Sequence, residues 1–164
     1  MHDESPTVAS TTPRLDALAR AALMIAGLAL IGVVIVQAWQ VVARYVLNDS
    51  PGWTEPTAVL LLNTAMSMAA AAAVHGNNHF SFPLLVSSLS PPLRRVCRLL
   101  SRLAIAGFGA ALAYWGALLL LDGWDIPMAG TRLPQSATFL PMSIGGALMV
   151  LFALAGSRQA AEAD

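Results

Sequence analysis

The sequence predicts an all-α integral membrane protein with four transmembrane helices. One observation is that Asp, Glu, Lys and Arg are absent from four stretches, at residues 21–43, 56–74, 103–121 and 133–156. Each stretch is near or above the roughly 18–20 residues that cross about 30 Å of hydrocarbon. A second is composition: the 164 residues are 57% hydrophobic and 11% charged, whereas about a quarter of the residues of a globular protein are charged.

The predicted elements follow one another along the chain, and residues 76–102 form the longest connection between them. Residues 1–13 are expected to be a disordered cytoplasmic tail, residues 14–158 a four-helix transmembrane domain and residues 159–164 a second tail. The first apolar run is too long for a signal peptide and lacks a small-residue cleavage site, so we interpret it as an uncleaved span. The predicted spans cover about residues 17–47, 55–75, 103–121 and 134–156.

The distribution of arginine predicts the orientation. If the N-terminus is cytoplasmic, that side carries seven arginines and the opposite side carries only Arg44 and Arg132. Because basic residues favour the cytoplasmic side, both termini are predicted to be cytoplasmic. Trp53, Trp124 and Tyr45 then lie at the outer interface, where aromatic belts occur.

The connection between the second and third spans is predicted to be an amphipathic cytoplasmic segment. The apolar run 80–89 is too short to span, and Ser90 is a suitable N-cap before two prolines. The arginines that follow at four-residue spacing lie on one helical face, which favours contact with lipid headgroup phosphate. A plain positive-inside signal is an equal alternative for these residues, Arg94, Arg98 and Arg102.

Small residues recur in the second and third spans at spacings that let helices approach closely. Ala65, Ala69 and Ala73 are four residues apart, and residues 106–113 are rich in Gly and Ala. Such residues favour helix packing where the hydrophobic effect cannot drive association. We therefore expect packing seams within the bundle or against a partner.

The sequence predicts no catalytic, cofactor or metal site. Neither a nucleophile elbow nor a zinc or phosphate-binding motif is present, and the single cysteine, Cys97, excludes an intramolecular disulfide. His75 and His79 are four residues apart, but the intervening Gly-Asn-Asn and the lack of a third ligand argue against a metal. A net charge of zero gives no reason to expect nucleic acid as a partner.

The polar segment between the first two spans holds the richest motif. Arg44 ends the first span and Glu55 begins the second, with Trp53 in the turn between them. The two charges are placed either to form an ion pair, which the dipole of the second helix would favour, or to extend separately toward water.

This segment resembles a known family signature. Read as Arg-Tyr-x-x-Asn-x-Ser-x-x-Trp-x-Glu over residues 44–55, it is similar to the signature of the small membrane subunit of tripartite ATP-independent periplasmic (TRAP) transporters, the DctQ-like family. A His after the second span and the final-span residues 133–145 also resemble the family pattern. The resemblance covers about residues 20–155 and assigns structural or interface roles to Arg44, Tyr45, Asn48, Ser50, Trp53, Glu55 and His79.

Three positions depart from the family pattern. Pro56 replaces the second acid of a Glu-Glu pair, and the acid that often follows the His is missing around residues 82–83. Asn63 or Thr64 stands where many relatives have a Trp. Roles of those family side chains therefore cannot be transferred to this chain.

The resemblance implies a scaffolding subunit in the bacterial inner membrane. Its partners would be a large DctM-like membrane subunit and a DctP-like periplasmic substrate-binding protein. Together they would import an organic acid, such as a dicarboxylate or a sialic acid, driven by an ion gradient. Two alternatives stay open: a self-sufficient oligomeric exporter, and a membrane anchor subunit of a redox enzyme.

Overall fold

A computed structural model describes residues 13–49, 51–76, 91–128, 130 and 134–162. Within these ranges, the side chains at 91, 92, 94, 95, 98 and 156–162 are outside the description. The predicted tail 1–13 therefore lies outside the described residues except for its last position. The apolar run 80–89, Ser50, His79 and Arg132 lie outside them as well.

Four long helices confirm the predicted all-α class. Each contains a stretch long and apolar enough to cross a membrane. In the described part of the chain the only β-type pairing is an isolated bridge between Pro127 and Pro134. The helices are α1 (Pro13–Tyr45), α2 (Thr54–His75), α3 (Pro91–Asp122) and α4 (Leu140–Glu162), and a 3₁₀ helix (Gln135–Phe139) precedes α4.

The third helix is longer than its apolar stretch. It begins at Pro91, where proline is tolerated because the first helical N–H groups lack intrahelical partners. It then continues without a break for 32 residues. The backbone at the three arginines of the predicted amphipathic segment therefore belongs to the same helix as the third span.

The fourth span begins with 3₁₀ rather than α-helical backbone. The α-helical backbone of α4 follows directly after the 3₁₀ residues, and Pro141 is its second residue. The side-chain amide of Asn63 in α2 donates a hydrogen bond to the Thr138 carbonyl in the 3₁₀ helix. Irregular backbone at membrane depth needs such partners, because lipid supplies none.

The helices form a row in the order α1, α2, α4, α3. Extensive contacts join α1 to α2, α2 to α4 and α4 to α3. The buried residues are mainly alanines, and the large ones are Met68, Met128, Met149 and Phe152. Because α1 and α3 are the edges of this row, each packs closely on one side only.

Glycines determine how closely α4 packs against its two neighbours. A Cβ at Gly146 would lie 2.6 Å from backbone atoms of Ala113 and Gly109 in α3. A Cβ at Gly145 would lie 2.7 Å from the Ser67 side chain in α2. The expected seam of small residues in the third span is thus in part an α3–α4 contact. Gly107 differs, because no atom lies within 4 Å of a Cβ built there.

Candidate interaction site between the first two helices

The motif residues surround the turn from α1 to α2. Arg44 and Tyr45 lie in the last turn of α1, and both side chains are exposed. Trp53 directly precedes α2, and Glu55 lies in its first turn. Ser50 is outside the described residues. The structure therefore brings this set to one end of the helix row, which we call the motif end.

Asn48 turns the chain after α1. Its φ of 53° is the only positive value of a non-glycine residue among those described. Asn tolerates this left-handed conformation better than most residues, because its short polar side chain can hydrogen-bond locally. The Asp49 N–H donates to the Ala43 carbonyl across the turn, at 3.1 Å. A backbone requirement thus explains the residue type at this motif position.

Arg44 and Glu55 do not meet as an ion pair. Both side chains are exposed, and within the described ranges the ion pair found joins two other residues. Of the two arrangements that the sequence left open, the structure favours separate charges that extend toward solvent. Among the described residues, neither group has an ion-pair partner.

The second connection packs against the first at the motif end. Gly130 has a φ of 72°, and a Cβ built on it would lie 2.5 Å from the Gly52 carbonyl carbon. The Gln135 N–H donates to the Ile126 carbonyl at 2.8 Å, which closes this second connection. Only glycine permits this contact. The residue must adopt a left-handed φ, and its backbone lies directly against the Gly52 backbone with no room for a side chain.

Exposed charges and aromatic rings cover the motif end. Four acidic residues lie there, and all four side chains are exposed: Asp49, Glu55, Asp122 and Asp125. Trp53 and Trp124 are 39% and 58% exposed, and Tyr45 is 77% exposed. This arrangement suits contact with a membrane interface or a protein partner.

At the opposite end, two residues from distant parts of the sequence form a pair. Nε2 of His75 lies 2.7 Å from Oδ1 of Asp16, which joins the end of α2 to the start of α1. The His75 ring also packs on Phe152 of α4, with ring centroids 4.9 Å apart. We call this end the His75 end. By its spacing in the sequence, His75 pairs only with His79, which lies outside the described residues.

The predicted headgroup-binding arginines lie in the first half of α3, toward the His75 end. Arg102 is partly exposed. The side chains of Arg94 and Arg98 are outside the described set, so the predicted lipid contact stays a prediction. Among the residues described, no group of three or more His, Cys, Asp and Glu side chains gathers as metal ligands would.

Apolar side chains cover most of the helix surfaces. Only 11–33% of the residues in the apolar windows of the four helices are buried. In α1 and α3, Leu28, Val34 and Phe108 are each at least 60% exposed. Such surfaces belong in contact with lipid or with other membrane helices.

A comparison with known protein families supports the family resemblance of the motif. Residues 33–162 match the family model described as tripartite ATP-independent periplasmic transporters, DctQ component. The match extends from the middle of α1 to the end of α4 and includes the motif end. It confirms the resemblance inferred from residues 44–55. A search of curated proteins found no match.

Proposed function

Because the chain belongs to the DctQ-component family of tripartite ATP-independent periplasmic transporters, we propose that it is the small permease subunit that scaffolds the large membrane subunit. The family match over most of the chain is the observation that carries this proposal. The role is an assembly role and not an enzymatic one. It agrees with four apolar helices that contain no Asp, Glu, Lys or Arg in their central stretches.

The row of helices supports a scaffold that extends a larger assembly. Because α1 and α3 each pack closely on one side, the row offers apolar helix faces to a membrane partner. Helices associate in lipid by close packing and by hydrogen bonds between them. We propose that a large DctM-like subunit covers part of this surface.

The motif end supports a second contact, with a DctP-like periplasmic binding protein. Exposed charges and tryptophans lie around the Gly52–Gly130 contact, which joins the two connections at this end. We place this end on the periplasmic side of the bacterial inner membrane, with both termini cytoplasmic. The imported solute would be an organic acid, and an ion gradient would drive its uptake.

The test replaces Arg44, whose exposed guanidinium lacks an ion-pair partner among the described residues. The variant Arg44→Ala is expressed with its large subunit and binding protein. We expect less large subunit to co-purify with the tagged variant and uptake to fall several-fold, because an interface contact is lost. Relative uptake of different acids should stay unchanged, since substrate contacts belong to the other subunits.

Arg14→Ala is the matched control. Arg14 is also exposed on α1, but it lies at the His75 end and outside the family-matched residues. The control should assemble and transport normally. Normal assembly and uptake of Arg44→Ala would remove the interface role of this motif. Transport by the chain reconstituted alone would instead favour the self-sufficient exporter.

A further inference from the structure

A groove lies between α1 and α2 at the His75 end. Its volume is about 440 Å³, and it opens widely at the surface of the two helices. Asp16, Arg20 and His75 line its mouth. Leu23 and Ala72 line the part nearer the middle of the helices. The groove is therefore polar at the helix ends and apolar toward the centre of the bilayer.

Arg20 supplies a cation at the mouth. Its Nε donates to the backbone carbonyl of Asp16 at 3.3 Å, which holds the guanidinium back along α1. The side chain is exposed, and its remaining N–H groups have no hydrogen bond or ion pair with the described residues. A guanidinium presented in this way suits a phosphate group, which it can bind through two N–H donors.

His75 forms the opposite wall of the groove, and contacts with two other helices hold its ring in place. His75 in α2 contacts Asp16 in α1 at 2.7 Å and Phe152 in α4 through its ring. Its side chain is only 14% exposed. Because these contacts hold the ring, this one wall of the groove needs little ordering when a ligand binds.

The position of the groove along the helices corresponds to the headgroup level of a bilayer. Arg20 is the last charged residue before the uncharged stretch that begins at residue 21, and His75 ends α2. Leu23, which is 60% exposed, lies one turn further into the membrane. A ligand that fills both parts of the groove therefore needs an anionic group, such as a phosphate, at one end and a hydrocarbon chain at the other.

We propose that this groove is a specific site for a phospholipid with a zwitterionic, amine-bearing headgroup. The Arg20 guanidinium binds the phosphate, and an acyl chain lies along Leu23 and Ala72. Asp16 keeps its contact with His75, and its side chain is still 38% exposed. Its acidic group therefore lies at the same mouth, and a headgroup that carries an ammonium next to its phosphate fits better there than a purely anionic one. The site is separate from the proposed scaffolding role.

The test is native mass spectrometry of the chain purified with its large subunit. The complex is reconstituted in nanodiscs of equal phosphatidylethanolamine and phosphatidylglycerol, released gently, and washed with lipid-free detergent. We expect one phosphatidylethanolamine to remain on the wild-type chain. Arg20→Gln should retain it about tenfold less, since a charge-assisted hydrogen bond is lost. Arg14→Gln, which changes an exposed arginine outside the groove, should retain it like the wild type.

Several results would overturn the proposal. These are equal retention by all three proteins, preferential retention of phosphatidylglycerol, and displacement of the lipid by millimolar inorganic phosphate. Cross-linking of a Cys97→Ser, Leu23→Cys double variant to the large subunit without retained lipid would show that protein fills the groove. Assembly with the large subunit is read from the same spectra. A failure of the lipid site is therefore distinguishable from a failure of the scaffold proposal.

Discussion

At the scale of single residues, Asn48 connects the family motif to backbone geometry. The left-handed φ of 53° turns the chain out of α1 and toward the Gly52–Gly130 contact. An asparagine at this position is therefore explained by conformation before any contact with a partner is considered. The same reasoning does not extend to Arg44 and Tyr45. Both are exposed helical residues, and their backbone conformation does not require these residue types.

Two substitutions of Asn48 separate a backbone role from a side-chain role. Asn48→Val should lower stability by about 1–2 kcal/mol, because a β-branched residue resists the left-handed region. Asn48→Gly should be nearly neutral, since glycine adopts that region readily. Thermal unfolding of the purified complex in mild detergent measures both. Equal destabilisation by the two substitutions would show that the Asn48 side chain itself makes the important contact.

At the scale of elements, the α3–α4 contact depends on the absence of side chains. Gly146 faces backbone atoms of Ala113 and Gly109, and Gly116 faces the backbone of Ser143. The Ser143 hydroxyl donates to the Ala113 carbonyl across this contact, at 3.1 Å. Close approach and an interhelical hydrogen bond are the two means by which helices associate in lipid.

Gly146→Ala is expected to separate α3 from α4. The added methyl group would lie 2.6 Å from backbone atoms that cannot move aside as a side chain can. Overpacking of this kind costs about 1–3 kcal/mol. Gly107→Ala is the control, because nothing lies within 4 Å of its added methyl group. Melting temperatures followed by circular dichroism compare the two. A fall for Gly107→Ala as large as that for Gly146→Ala would contradict this account.

At the scale of the whole molecule, the row arrangement leaves extended apolar surface for lipid or protein. Its two ends differ in chemistry. Exposed acids and tryptophans cover the motif end, whereas the His75 end has the Asp16–His75 pair and the groove between α1 and α2. This polarity fits a protein whose two ends face different compartments.

The orientation prediction is tested with the native cysteine. Cys97 is exposed near the start of α3, and it is the single cysteine of the chain. If both termini are cytoplasmic, a membrane-impermeant maleimide should label it only after spheroplasts are permeabilised. A Cys97→Ser, Asp125→Cys double variant should be labelled in intact spheroplasts, since Asp125 is exposed at the motif end. The reverse pattern would invert the orientation.

The sequence predicted the elements well and the contacts between them poorly. Uncharged apolar stretches identify spans directly, because burying a charge in hydrocarbon is costly. The Asp16–His75 pair joins residues 59 positions apart, and no local pattern links them. The topology alone could have predicted this proximity, because the start of the first span and the end of the second lie at the same end of a helical hairpin.

Other contacts had weaker signals. In the sequence, Asn63 is only a possible departure from a family tryptophan, whereas in the structure it donates a hydrogen bond to the 3₁₀ helix before α4. The Gly52–Gly130 contact brings together two connections whose glycines look like ordinary turn residues. Neither pairing follows from periodicity, because each depends on how neighbouring helices are positioned.

By itself, the sequence determined that this is a four-helix membrane protein of the TRAP small-subunit type. Hydrocarbon imposes length and charge limits on each span independently, and a motif is recognisable without its surroundings. Only the tertiary structure decided that the helices form a row, that Arg44 and Glu55 stay apart, and that a groove opens beside His75. Those features arise from packing between distant segments, where glycine and alanine positions determine which backbones can approach.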